Sequence, residues 1–163
     1  MKLERNTVKK AVVAVILISL AAMASLLIKN MVDARDPENS LPQIQVSAGL
    51  VSINPTRCGY EWNFIAVTKR APVVSPQDLP LFPYTVAPGM PIVINFSIEP
   101  EKLEISRTDG LNGIDFLPVA GDVLTPVQPG TYVYRVRANF KRGFIVYYFA
   151  VEVPAPPSVP APS

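Results

Sequence analysis

The chain has 163 residues, 18 of them proline and 8 glycine, with one cysteine and no histidine. The missing histidine excludes Ser-His-Asp and Cys-His catalysis and His-based zinc sites, and a lone cysteine cannot build an internal disulfide framework. The net charge of +2 is unevenly divided: residues 1–30 carry five basic side chains against Glu4, while the rest carries ten basic against twelve acidic. Basicity therefore belongs to the N-terminal segment, nothing resembles the basic stripe that nucleic acid needs, and nucleic acid is not an expected partner.

Residues 11–28, AVVAVILISLAAMASLLI, contain no charge and only Ser19 and Ser25 as polar residues. As a helix they rise about 27 Å, close to a hydrocarbon core of about 30 Å. Ten of the 18 are Val, Ile or Leu, so insertion is favourable by several kcal/mol. Lys9, Lys10 and Lys29 flank the run, where their stems can snorkel to the headgroups. Basic residues gather before the run and are interleaved with Asp33 and Asp36 after it. The positive-inside rule thus predicts a cytoplasmic N-terminus and an extracytoplasmic remainder. The competing expectation is a signal peptide cleaved after Ala24, because Ala22-Met23-Ala24 fits a small-x-small site. The continuation through Leu26, Leu27 and Ile28, which a mature N-terminus does not need, favours an uncleaved anchor.

Residues 31–42 are polar, contain two prolines and read as a spacer. Residues 43–153 are predicted to form one all-β domain, a size sufficient to close a single core. Strand candidates follow in order: Gln43–Val46, then Leu50–Ile53 after an Ala48-Gly49 turn, then a single run Gly59–Thr68 with Tyr60, Trp62 and Phe64 on one face. Lys69–Pro80 is proline-rich and expected to loop or form an edge. Phe82–Val86, closed by Pro88-Gly89, Pro91–Ile98, Lys102–Arg107 and Ile114–Val119 are further short strands.

The best-formed unit is last: Thr131–Phe140 and Phe144–Val153 flank Lys141-Arg142-Gly143, a three-residue loop expected to place Gly143 in the left-handed position of a G1 bulge. In the first arm Tyr132, Tyr134, Val136 and Ala138 face one way and Arg135 and Arg137 the other. Seven to nine short strands argue for an antiparallel β-sandwich. Residues 154–163, half of them proline, are expected to be an extended tail.

The run Gln128 to Ala138, QPGTYVYRVRA, resembles the E–F corner and F strand of immunoglobulin and fibronectin type III sandwiches, where a tyrosine hydroxyl bonds back to the upstream backbone. Tyr132 matches that corner. Tyr134 stands where antibody-type domains place their second cysteine, and Cys58 does not restore the disulfide. Gly59-Tyr60-Glu61-Trp62 and the Pro129 to Val151 hairpin are also similar to segments of single-domain, membrane-anchored proteins displayed on Gram-positive bacteria. The resemblance implies an immunoglobulin-like fold and no particular activity.

Catalytic chemistry is sparse. Glu99, Glu101 and Glu104 cluster around Pro100 and read as a solvated edge rather than as acids across a cleft. Asp109, Asn112 and Asp115 offer oxygens at a spacing of three, with turn-forming glycines between them. They lack the alternating donors and terminal glutamate of a calcium loop, and a hairpin turn explains them. Tyr134, Phe144, Tyr147, Tyr148 and Phe149 suggest an aromatic binding patch if exposed, although alternation makes one set core. Arg135, Arg137, Lys141 and Arg142 form a candidate surface for an anionic partner, and Cys58 is a buried small hydrophobe, a free thiol or a candidate intermolecular thiol.

The expected function is a non-enzymatic binding or assembly module, held in the membrane through residues 11–28 and serving another membrane or envelope protein as an accessory subunit. The alternatives are a free-standing adhesin or sensor for envelope polymer and a hydrolase using carboxylates alone. No cofactor or metal is expected.

Overall fold

A computed structural model describes residues 2–111, 113 and 115–156. The chain forms two compact units: one holds the N-terminal helices together with Asn63–Lys69, the other Pro42–Trp62 and the residues from Arg70 onward. Helix α1 spans Lys2–Arg35 and α2 is a single turn, Pro37–Ser40. No residue of the apolar window of α1 is buried, and its mean hydropathy is 2.8. The helix runs past the start of the expected spacer at residue 31, because no breaker occurs before Pro37. Asp36, which precedes that proline, is non-helical at φ −124° and ψ 75°, as the clash with the proline ring requires. Arg35 in the last turn complements the helix dipole.

Two sheets follow. The smaller has the order β2 (Val51–Ile53), β1 (Ile44–Ala48), β6 (Ile92–Phe96). The larger has the order β4 (Val67–Ala71), β3 (Thr56–Phe64), β10 (Gly143–Val153), β9 (Gly130–Phe140), β7 (Lys102–Asp109), β8 (Leu117–Pro118). Strand β5 (Pro83–Thr85) joins the far end of β10 in parallel, and the other registered pairs are antiparallel. Of the expected tail, Pro154, Ala155 and Pro156 carry no regular structure and 157–163 lie outside the described residues.

The core face of the larger sheet carries Tyr60, Trp62, Tyr132, Tyr134, Val136, Ala138, Phe140, Ile145, Tyr147 and Phe149, all buried. Phe96 of the smaller sheet meets Phe140 and Tyr147 edge-on or tilted, at ring-centroid distances of 5.8 and 6.2 Å, and Trp62 meets Phe140 at 5.5 Å. The two sheets therefore pack face to face through aromatic side chains, in the offset geometries that ring quadrupoles favour. Buried hydroxyls find carbonyls: Tyr134 donates to Leu124 (3.1 Å), Tyr147 to Pro42 (3.0 Å) and Tyr132 to Gln128 (2.9 Å). The last is the upstream backbone bond expected of the tyrosine in the Pro129-Gly130-Thr131-Tyr132 run.

Strand β10 is buried without interruption from Ile145 to Val151. Its second face, with Cys58, Val133, Val146, Tyr148 and Ala150, forms a further core covered by Leu79, Leu81, Phe116 and Phe144. Both faces of the central strands are thus covered, one by a sheet and the other by loop side chains. Each Val, Ile or Phe fully withdrawn from water contributes about 1.5–3 kcal/mol, so this strand is the energetic axis of the unit. Thr125, buried in the connection before β9, ties the β5–β6 turn: its hydroxyl donates to Ala87 (2.7 Å) and accepts from the Met90 amide (2.8 Å). No pattern in the sequence singled it out.

Three sequence expectations are corrected here. The run Gly59–Thr68 is not one strand but parts of β3 and β4, turning at Ile65-Ala66, where the Thr68 hydroxyl bonds the Asn63 side chain across the turn at 2.6 Å. The expected strand Ile114–Val119 shrinks to Leu117–Pro118, with Ile114 outside the described residues. The hairpin turn between β9 and β10 contains only Lys141 and Arg142, because Gly143 pairs with Phe140 instead of forming a bulge. Gly143 is needed for a different reason. It has φ +146°, and a Cβ there would overlap the Glu61 carbonyl oxygen and lie 3.0 Å from the Trp62 Cα. Replacing Gly143 by alanine combines that overlap with a backbone conformation L-residues resist, and should cost more than about 1 kcal/mol. Thermal unfolding of the purified chain checks this, and an unchanged midpoint would refute it.

Candidate functional site

On β9 the alternation that sends Tyr134, Val136 and Ala138 into the core sends Val133, Arg135, Arg137 and Asn139 to the opposite face. Strand register then decides their neighbours. Arg135 lies opposite Ser106 on β7 and Tyr148 on β10, and Arg137 opposite Glu104 and Val146. Both arginines are half-buried. Arg135 donates from Nε to the Ser106 hydroxyl (3.1 Å), and its guanidinium carbon sits 4.7 Å from the centre of the Phe116 ring. Arg137 donates from Nε to Asn139 Oδ1 (3.4 Å), and its guanidinium stacks 3.8 Å from the centre of Phe144. Each cation is therefore held by an Nε hydrogen bond and an aromatic platform, an arrangement worth about 0.5–2 kcal/mol per stacked cation.

These side chains line an open depression of about 520 Å³ together with Lys102, Glu104, Ser106 and Phe116. Its acid, Glu104, is engaged by Lys102 at 2.7 Å rather than by Arg137 across the strand. The Lys102 hydrogen bond and charge hold the Glu104 carboxyl below its usual range, with smaller help from Arg137 and Arg135. Among the described residues neither Arg135 nor Arg137 has a carboxylate within ion-pair distance. The depression is thus a cationic groove with two pre-positioned guanidiniums, chemistry suited to forked recognition of phosphate or carboxylate.

The other two residues of the expected basic patch lie elsewhere. Lys141 is exposed at the hairpin turn, and Arg142 is placed over Trp62, a residue of the core face, at 5.9 Å. The structure brings Arg135 and Arg137 together and separates Arg142 from them. Lys102, Ser106 and Phe116 complete the groove and were not marked in the sequence. The β7–β9 register places Lys102 and Ser106, and the pairing of β8 with β7 brings Phe116.

Cys58 is buried and donates to the Val146 carbonyl at 3.3 Å. A bulge in the β3–β10 register, between Val146 and Tyr147, leaves Cys58 as the extra residue and turns it into the second core. Burial pushes its thiol up from 9.0 to about 12. The same core supports the groove, since Phe116 and Phe144 cover Cys58's neighbours and also carry the two arginines. The aromatic binding patch considered from sequence does not form: Tyr134, Tyr147, Tyr148 and Phe149 are buried, and Phe144 lies under Arg137.

Glu99, Glu101 and Glu104 are exposed. Asp109 and Asp115 line another open depression, of about 680 Å³, beside Arg107 and Gly113. The Gly113 amide donates to the Gly110 carbonyl at 3.3 Å, which makes this segment a turn, and Asn112 lies outside the described residues. Among the described residues no group of three acids, cysteines or histidines is placed to hold a metal. No family model matches the chain, and no match was found among curated proteins or solved structures.

The raised thiol gives a pH signature. A proton held up to about pH 12 in the folded chain and only to about 9.0 in the unfolded one stabilises the fold fully below pH 9, and this contribution is lost as pH rises toward 12. Tyr134 and Tyr148, whose hydroxyls are also pushed up by burial, act in the same direction. Stability should therefore fall between pH 9 and 12, less steeply in Cys58→Ala, and Cys58 should react with a disulfide reagent at pH 8 only after denaturation. Rapid labelling of the folded chain would contradict this.

Proposed function

We propose that this protein is a non-enzymatic binding and assembly module, anchored uncleaved in the membrane through residues 11–28. In this reading the N-terminus is cytoplasmic, the β-domain is an extracytoplasmic immunoglobulin-like sandwich, and the protein serves as accessory subunit to a membrane or envelope complex. The observation that carries the reading is the helix: a 29-residue stretch from Thr7 to Arg35, none of whose apolar window is buried. Such a surface is costly in water and favourable in lipid.

Retention of the helix is supported by its continuity from Ala24 to Arg35. Cleavage after Ala24 would leave Leu26, Leu27 and Ile28 exposed on a helical stub. Orientation rests on Lys9 and Lys10 before the apolar run, against the mixed charges of Asp33, Arg35 and Asp36 after it. The immunoglobulin-like assignment, and with it the resemblance to Gram-positive surface proteins, draws on the Tyr132–Gln128 bond, the buried Trp62 and the facing of two sheets. The groove of Arg135 and Arg137 is the binding surface, and its partner presents anionic groups.

The test is crosslinking in intact cells, followed by detergent purification of a tagged full chain and mass spectrometry. The chain should resist alkaline extraction from membranes, and protease added from outside should remove the β-domain. One membrane or envelope partner should remain attached, and Arg135→Gln/Arg137→Gln should lower its yield about 30-fold or more, as expected when 2–5 kcal/mol of charged contacts is removed. Release of a shortened soluble chain would refute the anchor. An unchanged partner yield in the double variant would move the binding surface elsewhere. Recovery of a bare monomer that binds wall polymer would favour the free-standing adhesin.

A further inference from the structure

The helix and the β3–β4 turn belong to the same compact unit, and Asn30 is bonded to both. Asn30 lies two positions beyond Ile28, the end of the apolar run, and is only 8% exposed. Its side-chain amide donates to the Leu26 carbonyl one turn back (3.0 Å), while its oxygen accepts from the backbone amide of Ile65 (3.3 Å). The turn at Ile65-Ala66 is thereby fixed at the level of residue 30. The Thr68–Asn63 side-chain bond closes the turn from within.

Tight turns between strands ordinarily carry Gly, Asn or Asp. Here the tip reads Ile65-Ala66-Val67, with Ile65 65% and Val67 42% exposed. Two residues of helix advance about 3 Å along the axis, and the headgroup layer on each side of a bilayer is roughly 5–7 Å deep. A turn bonded to Asn30 therefore lies within that layer when Ile28 marks the edge of the hydrocarbon. Lys29 is exposed on the helix and Lys69 follows the turn, so cations are available for lipid phosphates on both segments.

We propose that the Ile65-Ala66-Val67 turn is a second membrane contact, inserted into the extracytoplasmic headgroup layer beside the helix, with Asn30 as the positioning residue. The occupant of this surface is lipid, whose apolar boundary the exposed side chains of helix and turn share. The proposal rests on the membrane-spanning reading of α1 given above.

The test uses the full chain reconstituted in vesicles of phosphatidylcholine with phosphatidylglycerol. An environment-sensitive fluorophore is attached at Ile65→Cys or, as a second position, Ala66→Cys, with the buried Cys58 blocked by its own inaccessibility. The expected result is emission well to the blue of the same dye on free cysteine in water, several-fold stronger quenching by lipid-borne than by aqueous quenchers, and a return toward the aqueous value in Asn30→Ala. Aqueous emission at both positions in chains that float with the vesicles would overturn the turn's insertion and leave the anchor standing. Chains that fail to float with vesicles would overturn the anchor and this proposal with it.

Discussion

Strand β10 is apolar on both faces over its central seven residues, Ile145 to Val151, and a strand of that kind has no stable place at the surface of a single sheet. Much of the β-domain bears on this requirement. β9 pairs along its whole length, β3 and β5 share its other edge, and the smaller sheet covers one face with Phe96. Loop residues Leu79, Leu81 and Phe116 close the other face. The proline-rich segments are thus part of the packing: they supply irregular cover where a third sheet would leave edges to be satisfied.

The second face explains why the basic groove has a defined shape. Phe116 and Phe144 are at once the lid of a small core around Cys58 and the platforms under Arg135 and Arg137. A guanidinium on a mobile strand edge loses rotamer entropy on binding, whereas one already stacked and bonded through Nε loses little. Glu104, which lines the same groove, pairs with Lys102 rather than with Arg137, and so leaves both guanidiniums without a directly paired carboxylate among the described residues. Rigidity at the site therefore derives from apolar packing beneath it.

The helix follows a different rule. Its apolar window is wholly unburied, and the residues of α1 with little exposure, Asn30 and Ala34, lie beyond the apolar run. Asn30 stands out against that background as a polar residue with little exposure at the end of the apolar run, bonded both to its own helix and to the Ile65 amide.

Local rules were enough for much of this protein. Hydropathy over residues 11–28 determined the helix, strict alternation determined that Arg135 and Arg137 share a face while Tyr132, Tyr134 and Val136 are buried, and the Pro129-Gly130-Thr131-Tyr132 run announced the Tyr132 corner bond. All of these depend on neighbours within a few residues. What the tertiary structure alone decided depends on pairing between distant segments. The turn at Ile65-Ala66 carries no turn residue, and its Ile65 amide is bonded to Asn30, 35 positions earlier in the chain. The need for Gly143 comes from the backbone of β3 rather than from its own turn. The bulge that buries Cys58 arises from the register of β3 on β10, and Lys102 and Ser106 reach the groove because β7 pairs with β9 in one register, while Phe116 arrives beside β8, which pairs with β7. Register is a property of two strands at once, and no single stretch of sequence encodes it.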